Sequence, residues 1–150
     1  MNNTVAIVMG SKSDAETMRQ AELALAEFGI AYETKVMSAH RTPQTVAAFA
    51  RGARRRGIKI IIAGAGMAAH LAGAIAAHTT LPVIGVPIEG KGLGGLDALL
   101  STVQMPKNVP VACLAIGRAG ARNAGILAAQ ILALNDARLS RRLLRFKSKL

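Results

Sequence analysis

The chain has 150 residues, 51% of them hydrophobic and 18% charged, with 15 glycines and one cysteine. That composition excludes a disordered chain, an internal disulfide and a cysteine-built zinc cage, and it predicts a single domain in a reducing, cytoplasmic setting whose core needs no covalent staple. Nineteen Lys plus Arg against eight Asp plus Glu leave a net charge of +11, a field that attracts phosphates.

Residues 5–9 are a short β-branched apolar run closed by Gly10, which predicts a strand buried on both faces. Ser13-Asp14-Ala15-Glu16 then has the S-x-x-E form of a capping box, predicting that Ser13 opens a helix. Ala15, Met18, Ala21, Leu25 and Phe28 continue it at spacings of three or four, and Gly29 stops it. Residues 30–37 read as a second strand. Thr42-Pro43 places a capping hydroxyl before a proline whose missing N–H costs nothing at the first helical position. Val46, Phe49, Ala50 and Ala53 form the inward stripe of that helix. Arg54, Arg55 and Arg56 fall in its last turn before Gly57, where they complement the helix dipole, and this role is favoured over a ligand site.

Residues 58–63 are the most strand-like run, Gly64-Ala65-Gly66 opens the next turn, and residues 67–78 are Ala-rich and helical by propensity. Residues 82–86 make a fourth strand. Residues 89–95 carry four glycines and read as a mobile loop, with 96–104 a short helix behind it. Residues 109–116 give the fifth strand, with Cys113 inside it as a small hydrophobe. Helices at about 119–134 and 136–147 finish the chain, the second in a basic segment at about 136–150. Five strands separated by helices, without amphipathic alternation, predict an α/β three-layer doubly wound sandwich around a central parallel sheet, flavodoxin-like or Rossmann-like. Ligands in such folds sit outside the carboxyl ends of the strands, so the loops after Met9, Met37, Ala63 and Val86 are the ones to search.

No run of ~18 apolar residues is present, and the opening Met1-Asn2-Asn3-Thr4 lacks the basic start of an export signal, so neither a membrane partner nor secretion is expected. With three Phe, one Tyr and no Trp, the aromatic platforms of single-strand readers are largely missing, and no nucleic-acid partner is expected.

The first loop, Gly10-Ser11-Lys12-Ser13-Asp14, gathers backbone freedom, two hydroxyls, a cation and a carboxylate at a helix start, where free N–H groups and the dipole favour phosphate. It lacks the spacing of a P-loop or a dinucleotide fingerprint, and a plain cap and turn would explain Ser13 equally well. The second, Ser38-Ala39-His40-Arg41-Thr42-Pro43, sets an imidazole suited to acid–base work beside a guanidinium suited to gripping phosphate. The third, Gly64-Ala65-Gly66-Met67-Ala68-Ala69-His70-Leu71, lets a ligand approach the backbone closely, although His70 fits a helix interior as well. No His or Cys pair has zinc spacing and no Ser sits in a G-x-S-x-G elbow, so metal and hydrolase chemistry are not expected.

Taken together, these three loops, with Val103-Gln104-Met105-Pro106 and Ala115-Ile116-Gly117, closely resemble the N5-carboxyaminoimidazole ribonucleotide mutase family (PurE, class I), and the likeness runs in order from Val5 to about Asn135. The resemblance implies an isomerase of purine biosynthesis. It would move a carboxylate from an exocyclic nitrogen to a ring carbon, giving 4-carboxy-5-aminoimidazole ribonucleotide, without cofactor or metal, in a homo-octamer with sites at subunit junctions. Carried over by motif, His40 is the proton shuttle, Ser11, Ser13 and Arg41 bind the phosphate, and Asp14 binds the ribose. Ser38, Gly66, Ala68, His70 and Leu71 frame the base and its carboxylate.

The chemistry agrees with those roles. Protonating nitrogen and later deprotonating carbon asks for one group of pKa ~6.5 acting twice, and His40 has the right side chain. Released carbon dioxide needs a small pocket sealed by walls such as 64–69, with 90–95 as a candidate lid. The sequence departs from the family at Met67, where a small residue is usual, and at Ala72 for proline, Gly94 for serine and Asn108 for glycine. Asn108 suits a left-handed turn, whereas Met67 borders the expected carboxylate pocket and would narrow it. The competing expectations are a direct carboxylase acting on aminoimidazole ribonucleotide and free carbon dioxide, and a phosphate- or flavin-binding module without chemistry.

Overall fold

The computed structural model describes residues 4–150. Residues 1–3, part of the segment that reads as lacking an export signal, lie outside the described residues. Among the described residues, five strands form one sheet: β1 (Val5–Met9), β2 (Tyr32–Val36), β3 (Ile60–Gly66), β4 (Val83–Ile88) and β5 (Ala112–Cys113). Their spatial order is β2-β1-β3-β4-β5 and every pairing is parallel. The helices are α1 (Ala15–Glu27), α2 (Pro43–Ala53), α3 (Leu71–Ala76), α4 (Leu96–Val103), α5 (Gly117–Ala133) and α6 (Ala137–Lys147). This is the doubly wound α/β sandwich expected, with the flavodoxin-like strand order.

Alternation along each inner strand divides the core into two layers. Val5, Ile7 and Met9 of β1 pack with Met18 and Leu25 of α1 and Ala121 and Ala124 of α5. Ala6 and Val8 face the other way, against Val46 and Phe49 of α2 and Leu71 and Ile75 of α3. Each large side chain so buried contributes roughly 1.5–3 kcal/mol. α1 and α5 approach closely because position 125 has no side chain. A Cβ on Gly125 would stand 2.7 Å from the Ala24 Cβ and 2.8 Å from the Ala21 carbonyl oxygen.

Four local differences from the sequence reading have physical causes. β3 continues to Gly66 because Ala65 and Gly66 pair with Pro87 and Ile88 of β4, and α3 starts only at Leu71 instead of Met67. Met67 itself breaks the chain direction at φ +55°. β2 and β5 are edge strands, which explains why β2 is half-exposed to exposed and why β5 has only two residues in place of 109–116. Pro110, which has no N–H to donate, stands inside that shortened segment. Asn108 adopts φ +76°, the left-handed turn expected of it.

The arginines after α2 form a short 3-10 turn ending at Gly57, φ +88°. The Arg56 guanidinium lies 4.6 Å over the Phe49 ring and 3.7 Å from a Glu33 carboxylate oxygen, contacts that belong to the helix end. α6 docks through Leu139 and Leu143, with Phe146 edge-on to Phe28 at 5.4 Å between ring centroids. Asp136 caps α6 by accepting from the Arg138 and Leu139 amides, and the Leu139 amide bond above all holds its carboxyl below the usual range. Arg142 donates to the Phe28 carbonyl at 2.7 Å. With Arg138, Arg141 and Arg145 it lines a hollow of about 300 Å³ that shares no residue with the strand-end loops. No helix among the described residues is long and apolar enough to cross a membrane.

Candidate active site

The winding reverses beside β1: the chain steps outward to β2 and then crosses back to β3. The loops leaving β1 and β3 diverge at that point and open a crevice at the carboxyl ends of the strands. A cleft of about 580 Å³ occupies it. Every residue to which the resemblance gives a role lines this cleft: Ser11, Ser13 and Asp14 after β1, Ser38, His40 and Arg41 after β2, Gly66 at the end of β3, and Ala68, His70 and Leu71 beyond it.

The first loop is fixed by its own short-range bonds. Gly10 N–H donates to the Gly64 carbonyl at 3.1 Å, tying the exit of β1 to β3. Ser11 Oγ accepts from the Ser13 amide at 3.3 Å and the Ser13 hydroxyl at 2.9 Å, while Asp14 Oδ2 accepts from the Ser11 amide at 3.0 Å. The capping box therefore begins at Ser11 and closes at Asp14, two residues before the Ser13–Glu16 box read from the sequence, because a 3-10 turn over Lys12–Asp14 precedes α1. Asp14 is 9% exposed, and burial pushes its carboxyl above the ordinary value of 3.8 against the opposing pull of the Ser11 amide, the Ser13 hydroxyl and the Arg41 charge.

The second loop is a compact turn. Thr42 Oγ1 donates to the Ser38 carbonyl and accepts from the Ser38 amide, both at 3.1 Å, and Arg41 N–H donates to Ser38 Oγ at 3.2 Å. Thr42 makes no side-chain cap on α2, contrary to the sequence reading, because its hydroxyl is spent on Ser38. The turn projects Arg41 back across the cleft, where Nη2 donates to the Gly10 carbonyl at 3.0 Å. Two serine hydroxyls, a guanidinium and one buried carboxylate thus converge on one side, a set suited to a sugar phosphate.

On the other side His40 Nε2 lies 2.6 Å from His70 Nδ1, with the rings edge-on at 87° and centroids 4.8 Å apart. One nitrogen must donate and the other accept, so the bond survives with one added proton on the pair and is lost when both rings are cations. Ala65, Gly66, Met67, Ala68 and Leu71 supply an apolar wall beside it. Their arrangement offers little competition for a transferred proton.

Sequence reasoning missed Glu89 and Ser101. Glu89 lines the cleft directly after β4, beside Gly90 of the loop read as a candidate lid, where the topology rule pointed without a motif to single it out. Ser101 lies on α4 and accepts from the Ala69 amide at 3.0 Å; nothing in the local sequence signals that contact. The sealed pocket expected around 64–69 is open on the single chain, since His40, Arg41, Met67, Ala68 and His70 are all exposed. Among the described residues no cluster of three His, Cys, Asp or Glu side chains could hold a metal ion.

The chain is similar to known proteins along nearly its whole length. The chain is 63% identical over 132 residues to the N5-carboxyaminoimidazole ribonucleotide mutase of Vibrio parahaemolyticus, covering 88% of this chain and 82% of that one. It is 60% identical over 143 residues to the protein of the same name from Bacillus subtilis, covering 95% and 88%. In three dimensions it superimposes on Treponema denticola PurE with a TM-score of 0.87 at 27% identity, covering 97% of this chain and 90% of that one. The family model described as AIR carboxylase matches residues 4–150. With the strand order, the loop contents and these matches in agreement, the chain belongs to the AIR carboxylase family.

Proposed function

We propose that this cleft catalyses the N5-carboxyaminoimidazole ribonucleotide mutase reaction, the conversion to 4-carboxy-5-aminoimidazole ribonucleotide in purine biosynthesis. The observation that carries the reading is the convergence of the His40–His70 pair and the Ser11, Ser13 and Arg41 set in one cleft of a chain 56–63% identical to proteins of that name.

His40 is the proton carrier. Breaking the N–carboxylate bond leaves an electron pair on nitrogen, which takes a proton from the His40 imidazolium as carbon dioxide departs. The electron-rich ring carbon then attacks that carbon dioxide, and the proton displaced from carbon returns to His40. Atoms and charge balance without cofactor or metal, and one imidazole acts as acid and then base. Ser11, Ser13 and Arg41 bind the phosphate, Asp14 the ribose, and Ser38, Gly66, Ala68, His70 and Leu71 frame the base and carboxylate. Anchoring the phosphate end orients the reacting end, which keeps carbon dioxide and ring carbon within reach.

The protein works as a homo-octamer with its clefts at subunit junctions. Supporting this are the openness of the cleft on one chain and the exposure of Leu96, Leu100 and Val103 along one face of α4 beside it. The lone Cys113 thiol, unpaired, fits a reducing cytoplasm. The mass of the assembly in solution tests the first of these statements.

The decisive experiment is turnover of N5-carboxyaminoimidazole ribonucleotide by the wild type beside His40→Asn. Conversion by the wild type, with a loss of about 10³-fold or more in His40→Asn and retained ligand binding, supports the reading. Wild-type activity only on aminoimidazole ribonucleotide plus carbon dioxide would make the protein a direct carboxylase, and equal rates in both proteins would remove His40 from the chemistry.

A further inference from the structure

The wall of the cleft opposite the phosphate side is a turn, residues 67–70, that joins β3 to α3 and has little to hold it in place. Met67 sits at φ +55°, a conformation costing a non-glycine residue roughly 1–2 kcal/mol. The only backbone bond the turn makes to itself is from the His70 amide to the Ala68 carbonyl at 2.8 Å. Ala69 is 2% exposed, so its amide has no water to turn to and requires a protein acceptor.

That acceptor is a single hydroxyl 32 residues away. Ser101, on the second turn of α4, receives the Ala69 N–H at 3.0 Å. Its own proton is committed: the Asp97 carbonyl lies 2.6 Å from Oγ, closer than the carbonyls of Ala98 at 3.3 Å and Met67 at 3.4 Å. Donating down its helix, Ser101 Oγ turns its lone pairs toward the turn, the arrangement needed to accept from Ala69. Ala69 stands between Ala68, which lines the cleft, and His70, whose Nδ1 meets His40 Nε2.

We propose that Ser101 is a positioning residue for the proton-transfer pair: its hydroxyl pins the Ala69 amide and so holds His70 at the distance that orients His40. The proposal rests on the mutase reading and deepens it. Without the hydroxyl, a buried donor is orphaned beside a residue already in an unfavourable conformation, and the turn rearranges to find another acceptor. Such a rearrangement carries Ala68 and His70 with it. The phosphate side, held by Ser11, Ser38 and Arg41, has no bond to Ser101 and stays where it is.

The test compares the wild type, Ser101→Ala and Ser101→Thr on N5-carboxyaminoimidazole ribonucleotide, with ribose 5-phosphate affinity and backbone hydrogen exchange measured alongside. Expected for Ser101→Ala are a kcat about 10-fold lower per folded molecule, ribose 5-phosphate affinity within about twofold of the wild type, and faster exchange at the Ala69 amide. Ser101→Thr retains the hydroxyl and restores kcat to within about threefold. An unchanged kcat in Ser101→Ala overturns the proposal, as does a defect confined to the yield of folded protein or a failure of threonine to restore turnover. If the wild type itself leaves the ribonucleotide unconverted, the mutase reading falls. Protection of the Ala69 amide then still reports whether Ser101 holds the turn.

Discussion

The loops after β1 and β2 are closed by bonds within a few residues: Ser11 with Ser13 and Asp14, Ser38 with Arg41 and Thr42. The turn after β3 makes one such bond within itself, joins α3 where the His70 carbonyl accepts from the Ala74 amide, and is tied to α4 through a hydroxyl far along the chain. Both walls face the same cleft, yet the first is closed largely within its own loops, which Arg41 joins to each other and Gly10 joins to β3, while the second leans on the packing of a helix. A site divided in this way can hold a phosphate firmly with one wall and adjust the reacting end with the other. Substitutions should sort accordingly, into those that weaken binding and those that slow conversion.

Arg41 tests the binding wall and has the largest expected effect there. Arg41→Ala removes a charge facing the phosphate side and the bond to the Gly10 carbonyl that ties the two loops together. A charge-assisted bond of this kind is worth about 1.5–3 kcal/mol, which corresponds to a KM increase of roughly 10- to 100-fold with a smaller change in kcat. Arg41→Lys recovers only part of the loss, since an ammonium is a point charge without the planar fork. Steady-state kinetics decide the matter. A fall in kcat with KM unmoved would assign Arg41 to the reacting wall and dissolve the division.

The same division explains what was legible in the sequence. Residues close in sequence announce themselves by type and spacing, so the hydroxyls of the first loop and the His40-Arg41 pair were readable, and the parallel sheet followed from apolar runs alternating with helical stripes. The exact cap was misread because S-x-x-D from Ser11 and S-x-x-E from Ser13 overlap, and only the 3-10 turn over Lys12–Asp14 decides between them. β5 was overextended because its residues are apolar enough for a strand, while edge position and Pro110 limit what pairs. Ser101 and the meeting of His70 with His40 were invisible for another reason: they depend on the docking of α4 and on the registers of β2 and β3 against β1, which no local pattern encodes.

Asp14 offers a smaller test, in stability instead of catalysis. Burial raises its carboxyl above the ordinary value of 3.8 in the folded chain, so the folded state binds the proton more tightly than the unfolded one. Stability therefore falls as pH rises from 3.8 through the folded value, and the deficit is complete above it. Asp14→Asn keeps an oxygen that can accept from the Ser11 amide and removes the charge. At neutral pH the variant is expected to be more stable, a gain that fades well into acid, while substrate binding weakens. Denaturant unfolding across pH checks this. A gain that persists at low pH would place its cause outside the charge.

Met67 gives the smallest expected change and the sharpest view of the second wall. Its φ of +55° disfavours any side chain, and the residue is 70% exposed on the single chain. Met67→Gly relieves roughly 1–2 kcal/mol of backbone strain, and most of that is offset by the greater freedom glycine gains in the unfolded chain. The net expected change is a stabilisation of under about 1 kcal/mol. The methionine Cγ lies 3.6 Å from the position a Cβ would take on Gly90, so its side chain reaches from the β3 wall to the glycine-rich loop. Removing it widens the cleft mouth, and a modest rise in aminoimidazole ribonucleotide released during turnover would report carbon dioxide escaping. A loss of stability beyond about 1 kcal/mol would contradict the exposure seen on one chain and mean that Met67 is covered in the working assembly, since only a buried methionine costs that much to delete.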